Sequence, residues 1–237
     1  CQPYLAAVQV EDNVVAVAIK TAPYKLVLSK IKDFGAVEAI ARDLQSNQEQ
    51  LPGVSSLSAE AKAFAEAWQT LTGQSYQPGL QMRIHQLHAV QSVPRSSGYL
   101  RQGNESDRAL LLQWYEPFEI EVFGTKQGNA EPFIDYLLKQ NMVYLWQDPI
   151  PVSMVCCAGS TPNGKRIGPV YTPPEYRKKG YATSCVADLS QMLLDRGSQF
   201  CCLFTDLANP TSNHIYQTIG YQPIDDWNEY IFGGKFQ

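Results

Sequence analysis

The chain has 237 residues, of which 44% are hydrophobic and 18% charged, the composition of an ordinary globular protein. Its net charge of −4 gives no general electrostatic attraction to nucleic acid or to anionic membranes, and we expect contact with neither. The strongest apolar run near the start, Val14–Ile19, is too short to span a bilayer, and no signal-peptide pattern is visible.

The cysteines are placed for burial rather than for disulfide bonds. Cys156-Cys157 and Cys201-Cys202 are adjacent pairs in apolar runs, and Cys185 lies on the apolar stripe of a predicted helix. Neighbouring residues in a strand point to opposite faces, so neither pair suits a bridge within itself. We therefore expect buried free thiols in a reducing cytoplasm. Cys1 would also suit a mature lipoprotein, but no leader is visible, and we favour a chain whose first segment is missing.

The first part of the chain predicts a hairpin, a strand, two helices and a further strand. Two alternating apolar segments, Tyr4–Val10 and Val14–Lys20, flank the turn residues Glu11-Asp12-Asn13, which is a good hairpin signal. The elements predicted after the hairpin are a strand at Leu26–Ser29, a helix at Asp33–Leu44, a helix from Ser58 to Gly73 and a strand at Leu80–Val90.

A short polar link, Val93–Gly98, separates this part from the rest. The second part alternates strands with helices and contains one hairpin, which indicates a mixed sheet covered on both faces. Its predicted elements are strand Tyr99–Gln102, helices Glu105–Tyr115 and Glu131–Lys139, hairpin strands Met142–Trp146 and Ile150–Ala158, strand Ile167–Tyr171, a long helix ending at Gly197, strand Phe200–Thr205, helix Asn213–Ile219, and closing strands at Tyr221 and Glu229–Phe232.

The segment Val170–Ala182 has the features of an anion-binding turn. An apolar strand runs into two prolines, three cations (Arg177, Lys178 and Lys179) and Gly180, after which apolar residues recur with helical spacing. A strand, a basic turn and a helix start bring free backbone N–H groups and the positive helix end to one place. The Gly-x-Gly-x-x-Gly and P-loop patterns are absent, so a dinucleotide or nucleoside triphosphate site lacks support.

The residues Arg177-x-x-Gly180-x-Ala182 resemble the cofactor loop of the GNAT superfamily of acetyl-CoA-dependent N-acyltransferases, whose pattern is Gln/Arg-x-x-Gly-x-Gly/Ala. A second match follows downstream at the spacing that the family requires. It consists of an asparagine, a small residue, a tyrosine and a Gly-aromatic pair, here Asn209, Ser212, Tyr216 and Gly220-Tyr221. The two motifs stand in the family's order, and the resemblance covers Gly98 to the C-terminus.

The resemblance implies a mixed α/β sheet with the GNAT-like acyl-CoA N-acyltransferase fold. The first half repeats the same element order from its hairpin onward, but Lys30-Ile31-Lys32-Asp33-Phe34 stands where the loop motif would lie. We therefore predict two tandem GNAT-like halves: a degenerate, N-terminally incomplete half at 1–93 and an acetyl-CoA-binding domain at 94–237. The first half would complete the fold or an interface, with substrate shaping as the alternative, and homodimer formation stays open.

By resemblance, acetyl-CoA is the cosubstrate, held by the loop and the residues beside it. The family uses a backbone N–H at Val170 or Tyr171 to polarise the thioester carbonyl. Tyr216 matches the general acid that reprotonates the leaving thiolate, which suits a phenol with a pKa of about 10. The predicted cofactor-binding residues are Val170, Tyr171, Thr172, Arg177, Lys178, Lys179, Gly180, Tyr181, Ala182, Thr183, Asn209 and Tyr216.

The resemblance does not supply the general base. The strand before the loop, Lys165–Val170, has no carboxylate, so Glu119 and Glu121, in the segment after the first helix, are the predicted catalytic candidates, with Glu229 as another. The predicted reaction is direct attack by an unidentified primary amine on acetyl-CoA in a ternary complex, without a metal. A non-catalytic acyl-CoA sensor or interaction module is the alternative.

Other site types have weaker support. His85 and His88 lie three apart on a predicted strand, hence on opposite faces, and make a poor metal chelate. His214 is predicted to be a surface residue near a helix start. A Cys/His hydrolase that uses Cys201 or Cys202 is disfavoured, because an apolar strand does not stabilise a thiolate.

Overall fold

The computed structural model describes residues 3–159 and 161–233, so Cys1 lies outside the described residues. The chain divides into two units by its internal contacts. The first comprises the residues up to Arg83 together with those from Asp225 onward, and the second is Ile84–Ile224. The C-terminal strand thus joins the first unit, for which the sequence shows no local signal. The halves 1–93 and 94–237 stay a prediction.

The first unit is a sheet with two helices packed on one face. Its strand order is β1-β2-β3-β4-β12-β5, in which β3 and β4 are parallel and the pairs β1–β2, β2–β3 and β4–β12 are antiparallel. The elements are β1 (Tyr4–Val10), β2 (Asn13–Lys20), β3 (Leu26–Leu28), α1 (Gly35–Ser46), β4 (Gly53–Leu57), α2 (Ser58–Thr72), β5 (Tyr76–Leu87) and β12 (Gln222–Phe232), the last two having residues in both units.

Aromatic side chains hold α2 to this sheet. Phe64 and Trp68 stack one helical turn apart with their ring centres separated by 6.1 Å, and both lie against Phe232 of β12. All three are buried. Burial of one such side chain contributes about 1.5–3 kcal/mol, so these contacts fix the last strand of the chain in the first unit.

The second unit contains an antiparallel sheet of order β10-β8-β7-β6 and a parallel pair, β9–β11, whose next neighbour is β5. Its elements are β6 (Tyr99–Gln102), α3 (Arg108–Phe123), α4 (Glu131–Lys139), β7 (Val143–Asp148), β8 (Ile150–Cys156), β9 (Gly164–Arg166), β10 (Val170–Tyr171), α5 (Tyr181–Asp195), β11 (Phe200–Asp206) and α6 (Pro210–Ile219).

Alternation along β7 and β8 explains why this sheet is covered on both faces. Tyr144 and Trp146 belong to the apolar cluster that contains α5 residues, whereas Val143 and Leu145 belong to the cluster formed with α3 and α4. Successive strand residues point to opposite faces, so the nearly continuous apolar run can fill two cores. The predicted mixed sheet with helices on both faces is confirmed.

Several elements differ from their predictions. The strand predicted at Ile167–Tyr171 is only β10, Val170–Tyr171, after a separate β9, and the two predicted closing strands form one strand, β12. Strand β4, Gly53–Leu57, was not predicted, because its Gly-Val-Ser-Ser-Leu sequence lacks apolar alternation; it forms by pairing with β3 and β12. Helix α3 does not end at Tyr115 but continues through Pro117 to Phe123, and so Glu119 and Glu121 lie on the helix rather than after it. Packing of Trp114 and Phe118 in the α3–α4 cluster outweighs the hydrogen bond that proline removes.

The cysteines follow the pattern expected for buried thiols. Every cysteine within the two described ranges is free, and four of the five are buried. Burial raises the pKa of the Cys201 thiol to about 12, which disfavours the thiolate that a nucleophile requires. None of the helices in residues 3–159 and 161–233 is long and apolar enough to cross a bilayer.

Candidate functional site

A divergence between two strands opens the site in the second unit. Strand β9 runs parallel to β11, with Gly164 opposite Phe200 and Arg166 opposite Cys202. After Ile167 the chain leaves β11, and β10 pairs instead with β8, with Val170 opposite Val155. Strands β10 and β11 therefore belong to different sheets, and the edge of β10 that faces away from β8 pairs with no strand of the described chain.

This divergence leaves a backbone donor at β10. The N–H groups of successive strand residues point to opposite edges, so of Val170 and Tyr171 one donates toward β8 and the other points away. Tyr171 is buried, and Val170 is half-buried. The role of this N–H in polarising a carbonyl stays a prediction.

The loop after β10 presents a run of free backbone N–H groups. A short 3₁₀ turn, Pro174–Tyr176, leads into Arg177, and α5 begins at Tyr181 with Gly180 as its N-cap. The six N–H groups from Lys178 to Thr183 donate to no group among the described residues, whereas the next N–H, that of Ser184, donates to Gly180 O at 2.9 Å. Such a row of donors at a helix N-terminus suits an anion with several oxygens.

Two residues of the loop have left-handed backbone conformations. Lys178 has a φ of 63° and Gly180 a φ of 80°. Glycine adopts this conformation without steric cost. Apart from its two chain neighbours, a Cβ atom added at Gly180 would meet only Ser96 Cβ, at 3.9 Å, so the described chain leaves space beside Gly180.

A hydrogen-bond network holds the start of α5 in place. Ser184 Oγ accepts from the backbone N–H of Ser96 at 2.8 Å, and the Tyr181 hydroxyl donates to Asp148 at 2.8 Å. Ser97 Oγ donates to the same Asp148 carboxylate at 2.5 Å, and these two bonds lower the pKa of that carboxyl. No spacing pattern in the sequence points to Ser96, Ser184 or Asp148, because their hydrogen-bond partners lie far away along the chain.

Tyr216 lies on α6 and is buried. Its ring makes an edge-to-face contact with Tyr221, with the ring centres 5.9 Å apart. Burial, with a smaller effect from Cys185, raises the pKa of the phenol. Its hydroxyl makes no hydrogen bond to another described residue.

Asn209 acts on the helix that carries Tyr216. Its side-chain oxygen accepts from the backbone N–H of Ser212 at 3.0 Å, which makes it the N-cap of α6. Its own carbonyl accepts from the Asn213 side chain at 2.8 Å. The asparagine and the small residue three positions later thus form one capping unit. Contact of Asn209 with a cofactor stays a prediction.

The candidate carboxylates have different surroundings. Glu119 is buried on α3, and its Oε2 accepts from the backbone N–H of Gln127 at 3.2 Å. Glu121 is half-exposed and forms an ion pair with Arg177 at 2.6 Å. Glu229 lies in the first unit, where it pairs with Lys25 at 2.8 Å.

The corresponding loop of the first unit has its donors satisfied internally. The backbone N–H of Ile31 donates to the buried carboxylate of Glu60 at 3.2 Å, and that of Gly35 donates to Asp33 at 2.9 Å. The N–H of Lys32 donates to Val15 O. Carboxylates of the chain itself therefore stand at this helix start, where they would repel a phosphate.

Histidine and acidic side chains form no metal site in the part of the chain that the structure describes, since no group of three potential ligands converges. His85 is buried and His88 exposed, as expected for opposite faces of strand β5 and its end. His214 is exposed on α6.

Known proteins resemble this chain in part of its sequence and in its fold. Residues 154–231, which contain the loop, α5, β11 and α6, match the sequence profile of the FR47-like protein family. No curated protein matches the chain in sequence. An acetyltransferase of the GNAT family from Colwellia psychrerythraea superposes with a TM-score of 0.64 at 11% identity, covering 96% of this chain and 84% of that one.

The chain has the GNAT fold. A GCN5-related N-acetyltransferase from Kribbella flavida also matches, with a TM-score of 0.64, 13% identity, and 99% and 91% coverage of this chain and of that one. A tandem GNAT protein from the clavulanic acid biosynthesis pathway matches with a TM-score of 0.58 and 13% identity over 99% of this chain and 85% of that one. The predicted resemblance to the GNAT superfamily and the predicted fold class are confirmed.

Within this GNAT fold, the second unit contains both motifs that the sequence analysis singled out. The loop motif provides the N–H row and the N-terminus of α5. The second motif caps α6, contributes Tyr216 and ends the helix at Gly220, whose φ is 112°. The roles of the individual residues toward a cofactor stay predictions.

Proposed function

We propose that the chain is an N-acetyltransferase that moves an acetyl group from acetyl-CoA to a primary amine by direct attack in a ternary complex. The observation that carries the proposal is the row of six free N–H groups, Lys178–Thr183, beside the gap between β10 and β11. Donors in this number suit the pyrophosphate of coenzyme A better than a carboxylate, which has two oxygens.

The loop, strand β10 and Tyr216 have separate roles in this reaction. The loop binds the pyrophosphate, and the gap beside β10 admits the pantetheine arm, so that the outward N–H of Val170 or Tyr171 polarises the carbonyl. When bound, acetyl-CoA supplies the activated acetyl thioester. Tyr216 keeps its proton at neutral pH, because the ordinary pKa of a phenol is about 10 and burial raises it further, and it serves as the acid for the leaving thiolate.

Glu119 is our candidate for the general base. A protonated amine with a pKa of about 10.4 needs an acceptor for its proton before it can attack. Glu121 is committed to Arg177, whereas the Oε1 atom of Glu119 has no hydrogen bond to any described residue. Helix α3 also contacts β10, where the carbonyl would be polarised.

Calorimetric titration of acetyl-CoA into the parent chain and a Gly180→Glu variant tests the site. Gly197→Glu is the matched control: Gly197 lies at the other end of α5 with a φ of 96°, and a Cβ there would meet nothing within 4 Å. Both variants carry the same charge change and a left-handed residue. We expect the parent and the control to bind and Gly180→Glu not to bind. Absence of binding by the parent would refute the proposal.

A further inference from the structure

The side chain of Arg177 forms hydrogen bonds with other residues of the chain. Its Nε donates to the carbonyl oxygen of Thr172 at 2.8 Å, and its Nη2 donates to Glu121 on α3 at 2.6 Å. The guanidinium also lies over the Tyr171 ring, 5.6 Å from the ring centre. Its contacts thus reach both the end of β10 and a separate helix.

The two lysines that follow differ from Arg177. Lys178 and Lys179 are exposed and form no salt bridge with any residue that the structure describes. Lys179 Nζ lies 5.8 Å from the centre of the Tyr176 ring and keeps its charge unpaired. These two ammonium groups, adjacent to the free N–H row, are the cations available to a phosphate.

We propose that Glu121 and Arg177 are positioning residues, a clamp that fastens the loop Thr172–Gly180 to helix α3, while Lys178 and Lys179 supply the attraction for phosphate. Arg177 closes the loop by bonding the carbonyl at its start, and Glu121 holds the guanidinium in the orientation that this bond needs. A loop fixed in advance loses less conformational entropy on binding. The consequence for binding rests on the proposed function, but the clamp itself does not.

The direction in which one substitution changes the affinity for acetyl-CoA distinguishes the clamp from simple electrostatics. Glu121→Gln removes a negative charge beside an anion site, so Coulomb's law alone predicts tighter acetyl-CoA binding. The clamp predicts weaker binding, by about three- to tenfold. Glu175→Gln is the matched control, because Glu175 is an exposed carboxylate of the same loop that forms no salt bridge with a described residue.

The experiment is calorimetric titration of acetyl-CoA into four proteins: the parent, Glu121→Gln, Arg177→Met and the double variant. We expect each single variant to weaken binding and the double variant to lose no more than either, since both remove the same clamp. Tighter binding by Glu121→Gln, or additive losses, would overturn the proposal while leaving the proposed function intact.

Amide hydrogen exchange on the ligand-free proteins tests the clamp even if the parent binds no acetyl-CoA. In the segment 172–180 the N–H groups of Tyr176 and Arg177 donate to Pro173 O and Pro174 O. We expect these two amides to exchange faster in Glu121→Gln and Arg177→Met than in the parent, and at an unchanged rate in Glu175→Gln. Equal protection of this segment in all four proteins would show that the clamp does not order the loop.

Discussion

At the residue scale, the proposed site combines free backbone N–H groups with two residues in left-handed conformations. These residues are Lys178 and Gly180, with φ of 63° and 80°. For a lysine this conformation costs about 1–2 kcal/mol. Strain of this kind persists where the surroundings hold it, and the proposed Arg177 clamp lies one residue away.

Tyr216→Phe tests the general acid at this scale. We expect kcat to fall about 100-fold or more, because a positioned acid contributes about 10²–10⁴. Acetyl-CoA affinity should stay unchanged. Because burial raises the pKa of the phenol, its protonated form persists to a pH of at least about 10, and the parent's rate should not decline below that pH through loss of this proton.

The measurement is release of the free CoA thiol in the presence of a panel of aminoglycosides, polyamines, small amines and peptides with free N-termini. Tyr221→Phe is the control, because it also removes a buried tyrosine hydroxyl. The Tyr221 hydroxyl forms a hydrogen bond with Ser190, whose own hydroxyl donates to Val186 O. Equal losses in the two variants would mean that Tyr216 acts through packing. Binding without turnover by the parent would favour the non-catalytic sensor.

At the element scale, the start of α3 is fixed by a buried ion pair. Arg101 on β6 donates through Nη1 and Nη2 to the two oxygens of Asp107, both at 2.7 Å. Asp107 also accepts from the backbone N–H of Asn104 at 2.9 Å, completing a capping box. Since α3 carries Glu119 and Glu121, this pair orients the helix from which the proposed base and clamp project.

Asp107→Asn should lower the free energy of unfolding by about 2 kcal/mol at pH 7, because a buried charge-assisted pair is broken. The bond with Arg101 lowers the pKa of Asp107 in the folded state. Its stabilisation is therefore complete above the unfolded pKa of about 3.9 and is lost as the pH falls through the lower folded value. The free energies of unfolding of the parent and the variant should therefore approach each other as the pH falls. Urea unfolding of both proteins from pH 7 downward measures this.

Asp135→Asn is the control for that experiment. Asp135 is also bonded by an arginine, Arg108, at 2.6 Å, but its side chain is 51% exposed. Solvent screens such a pair, so we expect a much smaller change in stability. If the two variants were equally destabilised, burial would not be the source of the Asp107 effect.

At the scale of the whole molecule, the two units differ in how their helix starts are occupied. The second unit leaves six N–H groups free at the start of α5. The first unit satisfies the N–H groups of Ile31 and Gly35 with Glu60 and Asp33. The described N–H groups at the start of α5 are thus open to a ligand, whereas two of those before α1 already donate to carboxylates of the chain.

We therefore expect each chain to bind one molecule of acetyl-CoA. Calorimetry should give a stoichiometry of one per chain, and Gly180→Glu should abolish all binding rather than half of it. Glu60→Gln should leave the stoichiometry unchanged, since the glutamine side chain would still fill the space. A value of two, or binding that persists in Gly180→Glu, would show that the first unit also takes the ligand.

Most elements could be predicted from the sequence because their signals are local. Each of three signals comes from neighbouring residues, and the structure contains all three elements. They are the hairpin at Glu11-Asp12-Asn13, the helical stripe after Gly180 and the apolar run at Phe200. The loop motif and the second motif could also be recognised in the sequence, because glycine and asparagine have conformational and capping preferences that depend on immediate neighbours.

Tertiary structure decided what depends on distant partners. Strand β4 exists because β3 and β12 supply its hydrogen bonds, and α3 passes Pro117 because its apolar side chains are buried against α4 and the sheet. The pairing of Glu121 with Arg177, 56 residues apart, follows from no local pattern. The sequence by itself thus determined the turn and the helix start at Gly180, where we propose that an anion binds. The placement of carboxylates around this turn required the folded chain, because charges separated along the chain meet only when packing brings their elements together.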